Sequence, residues 1–220
     1  MKINKISILA IASILAVSCA SEPKEDTHEN ATPVEKATEK VCTYSYDASS
    51  TKLSWKSFKT SAKVAVGGTF DTYEVHNTIA SNSESAVFEN ATFTIVTSSV
   101  NSGNEERDPK LVDYFFKSMV STDTISGKVV KISEAVEGKG AAIISLTLNG
   151  ETHEENAVYT LEGTVLTLSA TLKMEKWNAS NAIAALNKAC ELLHTGDDGV
   201  SQLWDEVDVE ISTELAKTCE

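Results

Sequence analysis

Arginine is nearly missing from this 220-residue chain: Arg107 stands alone beside eighteen lysines, and 32 acids against 19 basic residues leave a formal net charge of −13. So acidic a protein has no basic stripe with which to release counterions from phosphates, which excludes nucleic acid as a partner and disfavours charge-driven adhesion to anionic lipid. Histidine (4 residues), proline (3) and aromatic side chains (6%) are sparse as well. No Gly-x-Ser-x-Gly elbow, His-Glu-x-x-His pair, phosphate loop or Gly-x-Gly-x-x-Gly turn occurs, so neither catalysis nor a cofactor is expected. Glu105, Glu106 and Asp108 read as solvated loop acids, not as an acid–base pair. The stretch 195–199 lacks the alternate-position acids of a calcium loop, and Cys190 with His194 supplies only half of a metal site, so no metal is expected. Apolar runs are short too, and none reaches the ~20 residues of a membrane-spanning helix.

What the chain does have at its start is an address. Lys2 and Lys5 precede an apolar stretch from Ile6 to Val17, which ends in small residues before Cys19. Residues 1–18 are therefore expected to be a secretory leader removed on export. A cysteine directly after the small residues resembles a bacterial lipoprotein signal, which implies acylation of Cys19 and attachment to a membrane through its lipid. The protein is then exported and anchored, with the outer membrane, facing the periplasm or the cell surface, as its expected place. Residues 19–43 follow as a tether; Ala20 to Val41 hold Pro23, Pro33, six acids and no aromatic side chain, too little apolar surface to offset the entropy of ordering.

From about residue 44 to 219 the period of apolar residues becomes two. Leu166, Leu168, Ala170, Leu172 and Met174 alternate with Thr167, Ser169, Thr171 and Lys173. The pattern repeats at Ile144/Leu146/Leu148 and Val207/Val209/Ile211, and more weakly at Leu53/Trp55, Val64/Val66/Phe70, Ala91/Phe93/Ile95, Val130/Ile132 and Ala157/Tyr159/Leu161. Each run is a strand with one dry face, and Gly103, Gly138, Gly140, Asn149-Gly150 and Glu162-Gly163 mark turns between them. About eight such strands expose fewest edges when the antiparallel sheet closes into an all-β barrel. A two-sheet sandwich is the competing architecture. Two short helices interrupt the rhythm. Asp108 is the expected N-cap of one, with Pro109, Leu111, Tyr114, Phe115, Phe116 and Met119 behind it; Ile183, Leu186, Cys190 and Leu193 form the stripe of the other, which ends by Gly196. The first is expected to act as a lid.

Several pieces then fall in a familiar order: Tyr46-Asp47, Leu53-Ser54-Trp55-Lys56, Gly67-Gly68-Thr69-Phe70, Ser99-Val100-Asn101-Ser102-Gly103, Arg107-Asp108 and Leu146-Thr147-Leu148-Asn149-Gly150. Over residues 44–215 the chain resembles the YceI-like domain family. The resemblance implies a lipocalin-like antiparallel barrel, exported and non-catalytic, whose interior binds a long isoprenoid-like or other lipid. The chain departs from that pattern where Ala65-Val66 replace a histidine often found there, and in its helix at about 180–194 and extra cysteines.

A ligand of this kind is held by area removed from water, so its site needs only apolar inward residues. The alternation assigns these as Trp55, Val66, Phe70, Phe93, Ile95, Ile144, Leu146, Leu148, Tyr159, Leu161, Leu166, Leu168, Leu172, Val209 and Ile211, with Phe115 and Phe116 from the lid. The same side chains would equally fill a solid barrel, which would make the protein a ligand-free surface interaction or structural lipoprotein module. Arg107, just before Asp108, either clasps the lid through an ion pair, the role its family segment implies, or meets a ligand headgroup. Beyond Cys19, three thiols are left. Pairing of the first and last strands would bring Cys42 and Cys219 to one end of the barrel as a disulfide, with Cys190–Cys219 as the alternative.

Overall fold

The computed structural model describes residues 40–220; the expected leader, Cys19 and most of the tether lie outside the described residues. Twelve strands follow in order: β1 (Cys42–Ser45), β2 (Lys52–Lys59), β3 (Val64–Phe70), β4 (Tyr73–His76), β5 (Thr92–Val96), β6 (Val100–Asn101), β7 (Thr124–Ile132), β8 (Lys139–Leu148), β9 (Glu151–Glu162), β10 (Val165–Lys173), β11 (Leu203–Glu214) and β12 (Ala216–Cys219). β1 and β12 form a separate ribbon, and the other ten form one antiparallel sheet in the order β4-β5-β7-β8-β9-β10-β11-β2-β3-β6.

That sheet closes on itself. β3 runs into β4 through a bend at Asp71 and Thr72, and β5 runs into β6 through a 3₁₀ turn at Thr97–Ser99. The two bent strands face each other along their length, Phe70 opposite Val100 on one side of the bend and Tyr73 opposite Ile95 on the other. Between the ladders, Asp71 donates its N–H to the Ser99 carbonyl (3.0 Å) and Val96 donates to the Thr72 carbonyl (3.0 Å). Each pair of segments is thus one stave with a bulged corner, and the ten ladder segments make a barrel of eight staves. The expected count holds in that sense, and the sandwich is excluded.

Irregularities in the ladders shift which residues point inward. A register shift in β7 between Val129 and Lys131 buries Val129 and leaves Val130 42% exposed, so the expected pairing of Val130 with Ile132 on one face is wrong. A shift in β11 between Leu203 and Val207 brings the neighbours Leu203 and Trp204 both to the interior.

One end of the barrel carries the β1/β12 ribbon, where Cys42 and Cys219 are opposite partners joined by a disulfide across a sequence separation of 177. Tyr44, Val87 and Leu215 form a buried cluster there. The other end carries the helices. α1 (Asp108–Lys110) continues through a π-helical turn at Leu111–Phe115 and a 3₁₀ turn at Phe116–Ser118; α2 (Ser180–Ala189) is followed by α3 (Glu191–His194). Asp108 does not cap its own helix. Asn104 takes that role for the turn before it, its side-chain oxygen accepting from the N–H groups of Glu106 (3.0 Å) and Arg107 (3.0 Å). The Asp108 carboxylate turns back to the Ser102 N–H (2.9 Å), tying the helix to the end of β6.

Candidate ligand-binding site

A cavity of about 230 Å³ occupies the axis of the barrel. For scale, an apolar cavity of about 150 Å³ already stays dry and takes benzene. Its lining begins at the ribbon end with Tyr46, Phe88 and Ala91 and ends under the helices with Leu111, Ile183 and Leu186. β11 lines it from Leu203 to Thr213; at ~3.3 Å per residue and a tilt of roughly 40°, the bore is about 25 Å long. The cavity's lining thus runs along most of the barrel's length.

The tube stays hollow because three large aromatic side chains are turned against the wall. Trp55 lies opposite Gly68, Phe93 opposite Gly127, and Tyr159 opposite Gly140. A Cβ on Gly127 would come within 2.3 Å of the Phe93 ring, and one on Gly140 within 2.3 Å of the Tyr159 ring. Each ring therefore occupies the space that a side chain on the facing strand would have filled, and lies along the sheet instead of across the bore. The indole N–H of Trp55 donates to the Thr69 carbonyl (3.3 Å) and the Tyr159 hydroxyl to the Ser133 carbonyl (2.6 Å), fixing both rings.

Of the residues assigned to the bore from sequence, Trp55, Phe70, Phe93, Ile95, Ile144 and Leu146 line it, as do Leu148, Leu166, Leu168, Leu172, Val209 and Ile211. Phe115 and Phe116 line it from the helical end. Val66, Arg107, Tyr159 and Leu161 do not. Val66 packs behind, on the Trp55–Val100–Phe116 cluster, and Tyr159 is held over Gly140. Arg107 makes no ion pair among the described residues and no contact with the bore, so neither the clasp nor the headgroup role is supported. Both helices cover the end, not the first alone, since Ile183 and Leu186 of α2 join Leu111 and Phe115 in the lining.

Reasoning from sequence missed the polar members of the site: the hydroxyl residues Thr51, Ser54, Ser57 and Thr213, and one carboxylate. Alternation through Tyr159 and Ala157 continues inward to Glu155, His153 and Glu151, and Glu155 lines the bore. The barrel wall is split at this point. The β9–β10 ladder runs from Val165–Glu162 to Ser169–Val158 and stops there. Beyond it, β10 pairs only with β11 and β9 only with β8. A 3₁₀ turn at Met174–Trp177 is wedged into the opening. Trp177 is fully buried, and its indole N–H donates to the Leu146 carbonyl (3.1 Å). Lys176 donates to the Glu154 carbonyl (2.6 Å) and to the Glu155 carboxylate (2.7 Å), replacing partners that a neighbouring strand would have supplied. Hydrogen bonds from His153 and Asn178 hold the Glu151 carboxyl below the usual carboxylate range.

Cys190 is a buried free thiol, and His194 makes its own contact with Asn187 (2.9 Å from Nδ1 to Oδ1). Burial, with Lys59 nearby, pushes the His194 pKa down to about 4. Among the described residues no group of three or more His, Cys, Asp or Glu is placed to hold a metal.

Comparison with known proteins agrees with this architecture. A family model described as the YceI-like domain matches residues 44–215. Among solved structures, Burkholderia cenocepacia BcnA is similar with a TM-score of 0.54 and 16% identity, over 78% of this chain and 99% of that one. A polyisoprenoid binding domain from Saccharophagus degradans gives a TM-score of 0.53 and 14% identity, over 82% and 100%. The Campylobacter jejuni YceI protein gives 0.50 and 20%, over 70% and 84%. No curated protein sequence matches the chain. With the family model spanning nearly the whole barrel, the chain belongs to the YceI-like domain family.

Proposed function

We propose that this protein binds one long apolar lipid chain, isoprenoid-like in shape, along the barrel axis and stores or carries it outside the cytoplasm. The observation that carries the reading is the axial bore, lined almost throughout by aliphatic and aromatic groups and kept open by rings laid over glycines. Burial of a chain there is driven by area removed from water, at about 25 cal/mol per Å² before the costs of association. The Saccharophagus degradans domain of similar fold is described as polyisoprenoid binding, which favours the same ligand class here. Binding, not catalysis, is the activity such a lining supports.

Export and anchoring rest on the leader-like residues 1–18 and on Cys19 behind them. The Cys42–Cys219 disulfide fits an oxidising compartment. Labelled palmitate is expected to enter the wild-type protein and not Cys19→Ser. For the ligand, the full chain carrying Cys19→Ser is purified from its native host and its organic extract weighed by mass spectrometry. A long-chain lipid at one per protein is expected. Preparations that are repeatedly empty and refuse added isoprenoids would overturn the reading in favour of a ligand-free interaction module.

A further inference from the structure

Glu155 is the one charged side chain among those lining the bore. One of its oxygens accepts from Lys176 at 2.7 Å, and the other has no partner among the described residues. Lys176 is already engaged by that carboxylate and by the Glu154 carbonyl, so the pair as a whole is neutral and presents an open acceptor. It sits where the β9–β10 ladder ends and the wall parts, with Ala170 lining the bore on the opposite side of the split. Towards the ribbon end the lining is Leu53, Leu166 and Ile211, with the Thr51 and Thr213 hydroxyls hydrogen-bonded to each other (2.7 Å), which suits a tail; towards the split it acquires a carboxylate with an open oxygen, which suits a head.

We propose that Glu155 and Lys176 form a headgroup subsite, and that it takes an uncharged hydrogen-bond donor such as a chain alcohol or primary amide while rejecting a free carboxylate or a phosphate. This rests on the lipid-binding reading above. A hydroxyl or amide N–H satisfies the open carboxylate oxygen without bringing in new charge. An anionic head would place a second negative charge beside Glu155, whose neighbouring ammonium is already engaged by that carboxylate and by the Glu154 carbonyl. The head would lie at the parted wall, and the tail would run towards the disulfide-linked ribbon.

The test measures displacement of a fluorescent apolar chain from the full-length protein carrying Cys19→Ser, by four competitors of equal chain length: alcohol, primary amide, carboxylic acid and phosphate monoester, at pH 7.5. The alcohol and amide are expected to compete at least tenfold better than the acid and the phosphate. Glu155→Gln, similar in size to the native side chain, is expected to narrow that gap to threefold or less, read as the ratio of competition by alcohol to competition by acid. Equal competition by acid and alcohol in the wild type overturns the subsite and leaves the lipid-binding reading standing. The same holds for a preference that Glu155→Gln does not alter in a variant with an unchanged circular dichroism spectrum. A protein that takes neither the fluorescent chain nor any competitor overturns the lipid-binding reading and the subsite with it.

Discussion

Phe93 and Gly127 form one unit: the ring rests where a side chain at 127 would stand, 2.3 Å from the position of a Cβ. Gly127→Val is therefore expected to drive the ring into the bore. Overpacking of this kind costs about 1–3 kcal/mol, read as a lowered midpoint in urea, and uptake of a fluorescent apolar chain should fall at least tenfold. Phe93→Leu added to Gly127→Val should return most of the uptake, a result that simple misfolding would not give. His194 supplies a second prediction at this scale. Its pKa is depressed in the folded protein, to about 4, whereas an unfolded histidine titrates near 6.5. The unfolded chain thus binds the proton more readily, so the stabilisation is full above pH ~6.5 and is lost as the pH falls towards 4. Thermal melts between pH 7 and 4.5 should show a decline that His194→Gln makes shallower. Neither effect was legible in the sequence. Glycine inside a strand reads only as a break, and its partnership with an aromatic residue becomes visible once the register places Phe93 opposite Gly127. Burial of the histidine appears only where Asn187 and the end of α3 enclose it.

The elements themselves were largely written in the alternation. β8, β10 and β11 point inward the residues whose spacing of two marked them, and both helices fall where apolar stripes of period near 3.6 interrupted it. The errors came where the ladder slips: the shift in β7 reverses Val130, and the shift in β11 adds Trp204. A bulge leaves no compositional mark in a strand of Val, Lys and Asp, because it answers to the curvature demanded by the neighbouring staves. The helix start failed for a similar reason, since Asn104 and Asp108 are both good caps and tertiary contact with Ser102 decides between them. Asn104→Ala is expected to cost about 1 kcal/mol. The terminal ribbon is held by the disulfide across a separation of 177, for which the chain-entropy model gives roughly 5 kcal/mol. Cys42→Ser should lower the unfolding midpoint in denaturant while leaving chain uptake within twofold, because neither cysteine lines the bore.

For the whole molecule, a fold shared at 14–20% identity with proteins of known structure means that the architecture survives the exchange of most of its residues. The hollow interior makes stability and occupancy one property. A chain bound only by the folded form should raise the melting temperature with its concentration. Ala170→Phe, which fills the tube beside Val209, should abolish that rise while melting within a few degrees of the empty wild type. The closure of the barrel bears on how such a molecule gets in. β6 contributes only the pairs Thr69–Asn101 and Phe70–Val100 to the join, and the ladder resumes at Tyr73–Ile95 beyond the corner. By comparison β8 and β9 stay paired from Lys139–Thr160 to Leu148–Glu151. Amide protons at Thr69, Phe70 and Asn101 should accordingly exchange with deuterium well before those of β8 and β9. A cylinder that opens at so short a row of teeth gains girth while its longer seams hold, and a guest too long for either end is then laid in from the side.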